Sequence, residues 1–286
     1  MTATSVLTRP PTPTSRPPAP AAATRKTRET RKTRKSVTRR FIDANVRASA
    51  AMERLLRLES DKPFWARFDR SVRDAAGGVV DDATIIDLGG GRRCTYAAAV
   101  PRERGVRIVA VDISADELAL NEQVDETAVA NVAEHLPFDD ASVDLIVSRA
   151  LLEHVDGVPD AARHMARVLK PGGRALHFIP ARYSLFGLTA RLLPFRPLLK
   201  LLHLVSPETR GQVEFEVEYD HCYASALEEV FHDAGFRRVD VATCWSQSGY
   251  FFPCYPLYVV VALYQAVTRR LGARDLAAYV IVDASR

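Results

Sequence analysis

Short apolar runs recur along the middle of the chain, at 83–88, 106–111, 127–131, 143–148 and 174–179. Unbroken runs of this length fit strands buried on both faces, where one-sided strands would alternate with polar residues. Longer stretches with helical spacing separate them. Strand and helix in alternation wind a mostly parallel sheet covered on both sides, and such sheets bind ligands at the carboxyl ends of their strands. The last of the five follows Leu169-Lys170-Pro171-Gly172-Gly173, read as a helix stop and a turn. Further on, 226–234 reads as a helix closed by Gly235, with two more strands at 237–244 and 277–283.

Two helices are expected before the first strand. One runs over 43–58, with Asp43 as its N-cap and Val46, Met52, Leu55 and Leu56 as its apolar stripe. The other runs over 63–76, with Pro63 in its first turn and Gly77-Gly78 ending it. Its Phe64, Trp65, Phe68 and Val72 either cover the ligand edge of the sheet or simply pack the core.

Charge separates the N-terminal part from the rest. The net charge of +4 divides into +10 over residues 1–40 and −6 over the remainder. Residues 1–23 are rich in Pro, Thr and Ala without apolar periodicity, and are expected to be disordered. The basic run 24–40 reads as a solvated tail, as a docking segment for anionic lipid or nucleic acid, or as a targeting segment. No apolar stretch there resembles a secretory signal. The expected organisation is a tail over 1–40 and one domain over 41–286. Within that domain lie N-terminal helices (41–78), a ligand-binding core (79–180), an insertion (181–219) and the C-terminal helix and strands (220–286).

The candidate chemistry begins where the first strand ends, at Asp87-Leu88-Gly89-Gly90-Gly91. Glycine removes the Cβ that would hold a ligand away and permits positive φ. Asp112 ends the second strand, where a carboxylate can take hydrogen bonds from a ribose diol. A dinucleotide fingerprint beginning at Gly89 and Gly91 would place its third glycine at 94, which is Cys94. Asp87 would also repel a pyrophosphate. S-adenosylmethionine carries an ammonium, a sulfonium and a ribose diol but no phosphate, so acids at both strand tips suit it.

In order along the chain stand Asp87-Leu88-Gly89-Gly90-Gly91, Val111-Asp112, Ala133-Glu134-His135-Leu136-Pro137-Phe138, Ser142-Val143-Asp144-Leu145-Ile146-Val147, Leu152-Glu153-His154-Val155 and Arg167-Val168-Leu169-Lys170-Pro171-Gly172-Gly173. This series resembles the class I S-adenosylmethionine-dependent methyltransferases of the type 11 group, closely over about 80–180 and more loosely through Asp233-Ala234-Gly235-Phe236. The resemblance implies an α/β fold, a doubly wound, seven-stranded, mostly parallel Rossmann-like sheet, here with a helical insertion after the fifth strand. It implies S-adenosyl-L-methionine as cofactor. Asp87 would hold the methionyl ammonium, Gly89 and Gly91 would let the loop lie against the cofactor, and Asp112 would take the ribose hydroxyls. Ile113 would lie on the adenine, Asn131 and Val132 would line its edge, and Ser148 with Arg149 would sit under the methionyl arm. Two positions depart from the pattern. Arg93 stands where a third glycine is common, so Arg92 or Arg93 either reaches the cofactor carboxylate or faces solvent. Val132 stands where an acid is common, leaving adenine to the Asn131 amide or to backbone carbonyls.

The acceptor is less legible. His154, His177 and His221 are candidate general bases, each at or after a strand end, and each is also compatible with a packed or solvent-facing side chain. The four cysteines show neither disulfide nor zinc spacing, and no metal site is expected. Ser148-Arg149-Ala150-Leu151 stands where methyltransferases of nucleic-acid amines carry Asn-Pro-Pro-Tyr or Asp-Pro-Pro-Tyr. Residues 181–207 hold basic residues among leucines and no acid, and 241–268 hold no charge. Pro253 and Pro256 are expected to break that second run, so that it cannot span a membrane. The pair reads as an interfacial surface or as a lid. The expected activity is methyl transfer to a small hydrophobic or lipid-linked acceptor, at oxygen, by a cytoplasmic protein in peripheral contact with the inner face of the membrane. A nucleic-acid methyltransferase using the basic tail and a non-catalytic cofactor-binding protein are the alternatives.

Overall fold

A computed structural model describes residues 37–286 apart from 57, 59, 186, 189–216 and 247–250. Its first helix, α1 (Val37–Leu55), starts earlier than the expected Asp43. Nothing in Val37-Thr38-Arg39-Arg40 stops a helix, so helical order reaches back into the end of the basic run. Asp43 is therefore no cap. It lies one turn beyond Arg39 and approaches it to 3.6 Å, a spacing that stabilises a helix from within.

Helix α2 (Lys62–Gly77) takes Pro63 in its first turn as expected, and buries Phe68, Val72 and Ala76. Its aromatics answer the open question about this helix on the side of packing. Trp65 lies with its ring centroid 3.8 Å from that of Phe178, and Phe64 and Phe68 lie 6.1 and 5.6 Å from the same ring.

The strands are β1 (Thr84–Leu88), β2 (Arg107–Asp112), β3 (Glu126–Val129), β4 (Val143–Arg149), β5 (Leu169–Pro180), β6 (Arg238–Cys244) and β7 (Tyr279–Ser285). They form a sheet in the order β3-β2-β1-β4-β5-β7-β6. Neighbours from β3 to β5 run parallel, while β7 runs antiparallel to both β5 and β6. The sheet is thus the seven-stranded, mostly parallel one that the resemblance implied. Alternate residues feed two separate cores: Ile86, Leu88 and Ile146 pack on one face, Ile85, Leu145 and Val147 on the other. Burial on both sides explains why these strands read as unbroken apolar runs.

The segment expected as a turn before β5 lies inside the strand. Leu169 already pairs with Val143, the register then shifts, and Arg174 pairs with Leu145. Lys170-Pro171-Gly172-Gly173 bulges out between them, with Gly172 at φ +83°. The short helix α3 (Ala115–Leu118) follows β2, α4 (Val158–Val168) precedes β5, and α5 (Ala224–Asp233) precedes β6. The insertion expected over 181–219 falls mostly outside the described residues.

A tight hairpin could join the antiparallel neighbours β6 and β7. Residues 245–278 join them instead, and they include α6 (Tyr255–Arg270). Pro256 does not interrupt this run as expected. It occupies the first turn of α6, where a missing N–H has no partner to lose. Among the described residues no helix is long and apolar enough to cross a membrane.

Candidate functional site

The turn after β1 is shaped by what cannot fit there. A Cβ at Gly90 would lie 2.8 Å from the Asp87 carbonyl oxygen and 2.9 Å from the Ala110 side chain. Gly89 and Gly91 sit at φ +71° and +42°. The loop is tied down from the side: Asn121, itself buried, donates to the carbonyls of Gly90 and Gly91 at 3.3 and 3.0 Å. Asp112 finishes the cradle, with Oδ2 accepting from Gly91 N at 3.1 Å and Oδ1 from Ser114 N at 2.9 Å. Both acids therefore meet at one glycine turn, at the carboxyl ends of β1 and β2.

Asp87 is only 9% exposed. Burial lifts its carboxyl to about 7, against the opposing effects of the Cys94 thiol, the Tyr96 hydroxyl and the Arg149 charge, with Asp112 adding to the rise. A cation arriving at this carboxylate would relieve the cost of burying it. Beside Asp112 opens a cleft of about 430 Å³ lined by Ile113, Val129, Ala130, Asn131, Glu134, His135 and Pro137. A largely apolar cleft at the ends of β2 and β3, entered past a strand-tip acid, could hold a base and its ribose.

The other expected residues are distributed unevenly. Ile113 lines the cleft with an exposed side chain. Asn131 lines it too, but its amide is already engaged, donating to Glu134 Oε1 at 2.9 Å while its Oδ1 accepts from Ala133 N. The carboxylate lining this cleft is thus Glu134, held in place by the Asn131 amide. The Val132 side chain turns away and is buried in the core. The Ser148 hydroxyl also faces inward, 2.7 Å from His177 Nδ1. Arg92 makes two bonds to Glu117, at 2.6 and 2.5 Å, while the Arg93 side chain is exposed. Arg149 pairs with Asp69 and lies over the rings of Trp65 and Phe68 at 5.7 and 5.3 Å, joining α2 to this end of the sheet.

The three histidines part company. His177 sits within β5 between β4 and β7, fully buried, and burial holds it down at about 3. It is a neutral core side chain and cannot serve an acceptor. His221 lies in a groove between α4 and α5, with Nδ1 2.6 Å from Asp220 Oδ1 but off the hydrogen-bonding direction. His154 stays at the sheet's carboxyl edge. It ends the short 3₁₀ turn Leu152–His154, directly after Leu151, whose side chain reaches to Gly89.

Glu153, next to His154, carries a signal that its place in a familiar motif conceals. It is 3% exposed, its Oε2 has no hydrogen-bond partner among the described residues, and its Oε1 lies 3.8 Å from His154 Nε2. Its backbone carbonyl accepts from both Glu218 N and Tyr219 N, in a segment where Tyr219 and His221 adopt positive φ. Burial pushes the Glu153 carboxyl up to about 8. Raised above its ordinary 4.5 in the folded protein, it favours the fold when protonated, so stability falls as pH rises from about 4.5 to about 8. Glu153→Gln should remove that slope. Its thermal midpoint is expected to exceed the wild type's by several degrees at about pH 9 and to match it near pH 4. Equal differences at both values would show that the carboxyl is solvated.

Comparison with known proteins agrees with this geometry. The family profile described as a methyltransferase domain matches residues 86–177, from within β1 to within β5. The ubiquinone/menaquinone biosynthesis C-methyltransferase UbiE of Shewanella sp. (strain ANA-3) is 30% identical over 191 residues, covering 62% of this chain and 74% of that protein. The biotin biosynthesis bifunctional protein BioHC of Cellvibrio japonicus is 36% identical over 99 residues, and there the chain spans only 19% of the relative's length. Among solved structures, the geranyl diphosphate C-methyltransferase of Streptomyces coelicolor A3(2) aligns over 77% of this chain and 80% of its own, at 17% identity and a TM-score of 0.49. With a glycine turn between two strand-tip acids, and a UbiE relative matched over most of its length, the chain belongs to the class I S-adenosylmethionine-dependent methyltransferases and uses S-adenosylmethionine as its methyl donor.

Proposed function

We propose that the enzyme methylates a hydrophobic or lipid-linked acceptor that carries an ionisable hydroxyl, such as the ring of a prenylated quinol. The observation that carries this reading is the composition beside the sheet's carboxyl edge. Residues 241–268 contain no Asp, Glu, Lys, Arg or His, and α6 within them is fastened to the turn just after β5 through Tyr264, whose hydroxyl donates to the Tyr183 carbonyl at 2.9 Å. A segment so poor in charge favours an apolar guest over a nucleic acid. The name of the UbiE relative adds a prenylated quinone to the candidate chemistry.

On this reading Asp87 receives the cofactor ammonium, Asp112 the ribose, Ile113 the adenine face and Glu134 its edge. The cofactor supplies an already activated methyl group, so the chain's task is to orient the acceptor, exclude water and take one proton per turnover. His154 is assigned that proton, with Glu153 behind it as a positioning residue. Deprotonating a quinol hydroxyl activates both its oxygen and the neighbouring ring carbon. One base therefore serves methylation at oxygen, the reading from sequence, and at carbon, the reaction named for UbiE.

Incubating the enzyme with a lipid extract and trideuteromethyl S-adenosylmethionine should give a lipid product three mass units heavier than its unlabelled methylated form. Fragmentation then locates the label on oxygen or carbon. Label confined to nucleic acid or water-soluble products would overturn the reading. His154→Gln is expected to lower turnover roughly 10²- to 10⁴-fold, the usual contribution of a general base, with cofactor affinity unchanged.

A further inference from the structure

Helix α6 is amphipathic in the wrong sense for water. Its buried residues include Gln265 and Thr268 beside Tyr258, Val261 and Ala262. Its outer face carries Leu257, Val260, Leu263 and Val267, continued by Leu271, each between 45% and 75% exposed. The Gln265 amide nitrogen is buried without a hydrogen-bond partner among the described residues. A surface helix ordinarily turns its polar side chains outward. Here the aliphatic face is left outside while an amide and a hydroxyl go in.

The surroundings indicate what that face meets. Helix α6 packs on α1, through Ser49 Oγ donating to the Phe252 carbonyl at 3.1 Å and Tyr255 N donating to Asn45 Oδ1 at 2.9 Å. Helix α1 contributes exposed Phe41 and Leu55. All the charge along α6 is positive: Arg269 and Arg270 close its last turn, and no acid occurs between 241 and 274. In sequence, α1 continues the run 24–40, in which nine Lys and Arg stand against Glu29. The outer face of α6 itself is aliphatic and without hydrogen-bonding groups, with arginines at one end, and so matches an anionic bilayer in both charge and polarity. A protein partner would more often be met by aromatic anchors and a polar rim.

We propose that the outer face of α6 docks on an anionic membrane, the helix lying in the headgroup plane with Leu257, Val260, Leu263 and Val267 at the acyl boundary. Sixteen residues give a helix of about 24 Å, short of the roughly 30 Å hydrocarbon core, so it lies on the bilayer and does not cross it. Because Tyr264 ties the helix to the turn just after β5, docking there would bring a membrane-held acceptor to the catalytic edge. That last step rests on the acceptor reading above, whereas the docking rests on the helix itself.

The test is flotation of the full-length protein with phosphatidylglycerol-containing vesicles, at low salt and at about 1 M salt, where screening acts within about 3 Å. Basic residues alone would release the protein at high salt, so substantial binding is expected to persist. Val260→Ser, Leu263→Ser and Val267→Ser together should lower that salt-resistant binding at least tenfold. All three positions are more than half exposed, so cofactor affinity and thermal midpoint should not change. Unaltered flotation of the triple variant would overturn the proposal. So would a wild-type dimer that the same substitutions render monomeric, in a protein that ignores vesicles, because a second copy would then cover the face. Vesicle binding without any labelled lipid product would support docking and remove only the acceptor reading.

Discussion

Asp87→Asn should lower affinity for S-adenosylmethionine by roughly two to four powers of ten, while the protein stays folded. The expectation rests on the proposed pairing of Asp87 with the cofactor ammonium, in a site where the carboxylate is nearly sealed from water. Removing one partner of a buried charge pair costs about 3–5 kcal/mol, because the other is left without its counter-ion. The pH dependence gives an independent check. Only the ionised carboxylate pairs with an ammonium, and Asp87 in the free protein titrates at about 7. Cofactor binding should therefore strengthen up to tenfold per unit as pH rises towards about 7, then level off. The Asn variant should lose that slope. Its fold should suffer less than the wild type's as pH rises from about 4 to about 7, since it carries no buried charge to develop. Isothermal titration across that range measures the binding, and an Asn variant that binds with unchanged affinity and unchanged slope would displace the ammonium from Asp87.

Phe178→Ala should be the most damaging truncation in the second core. The ring is fully buried and has Phe64, Trp65, Phe68 and Tyr279 within 6.1 Å, so it fastens α2 to both β5 and β7. Phe→Ala in such a setting costs about 3–5 kcal/mol, through lost transfer energy and the cavity left behind. For a folded unit of this size the thermal midpoint should fall by roughly 6–20 °C. A functional effect should accompany it. Arg149 is positioned by Trp65 and Phe68, so loosening α2 should weaken the hold of Arg149 near Asp87 and reduce cofactor affinity even well below the new midpoint. A drop in midpoint with unaltered binding would show that α2 is a structural cover only.

What the sequence showed and what it hid follow from how local each feature is. Strand β1 and the turn after it were readable because an apolar run, an acid and three glycines are a property of eight consecutive residues. That Asp87 would be buried deeply enough to titrate near neutrality was not readable, since Cys94, Tyr96 and Arg149 come to it from other elements. His177 looked like a strand-end base from its position. Its burial depends on β7 lying beside β5, a pairing across more than a hundred residues. Asn121 gave no sign at all, because its partners are backbone carbonyls thirty residues back. Pro256 misled for the opposite reason. A proline interrupts a helix or opens one depending on where the helix begins, and here the first N–H of the helix, that of Tyr255, is taken by Asn45 of α1, a partner more than two hundred residues away.

The position of β7 also has a consequence for how the chain is made. It is the last strand in sequence, yet it lies between β5 and β6. During synthesis β1 to β4 emerge with their parallel neighbours close at hand, whereas the outer edge of β5 must wait about a hundred residues for its partner. Until then that edge offers an unpaired row of backbone groups beside Leu176, Phe178 and Ile179, the arrangement most prone to pair with another chain. A ribosome stalled before residue 279 would hold a nascent protein whose β5 edge was still open to pairing with another chain.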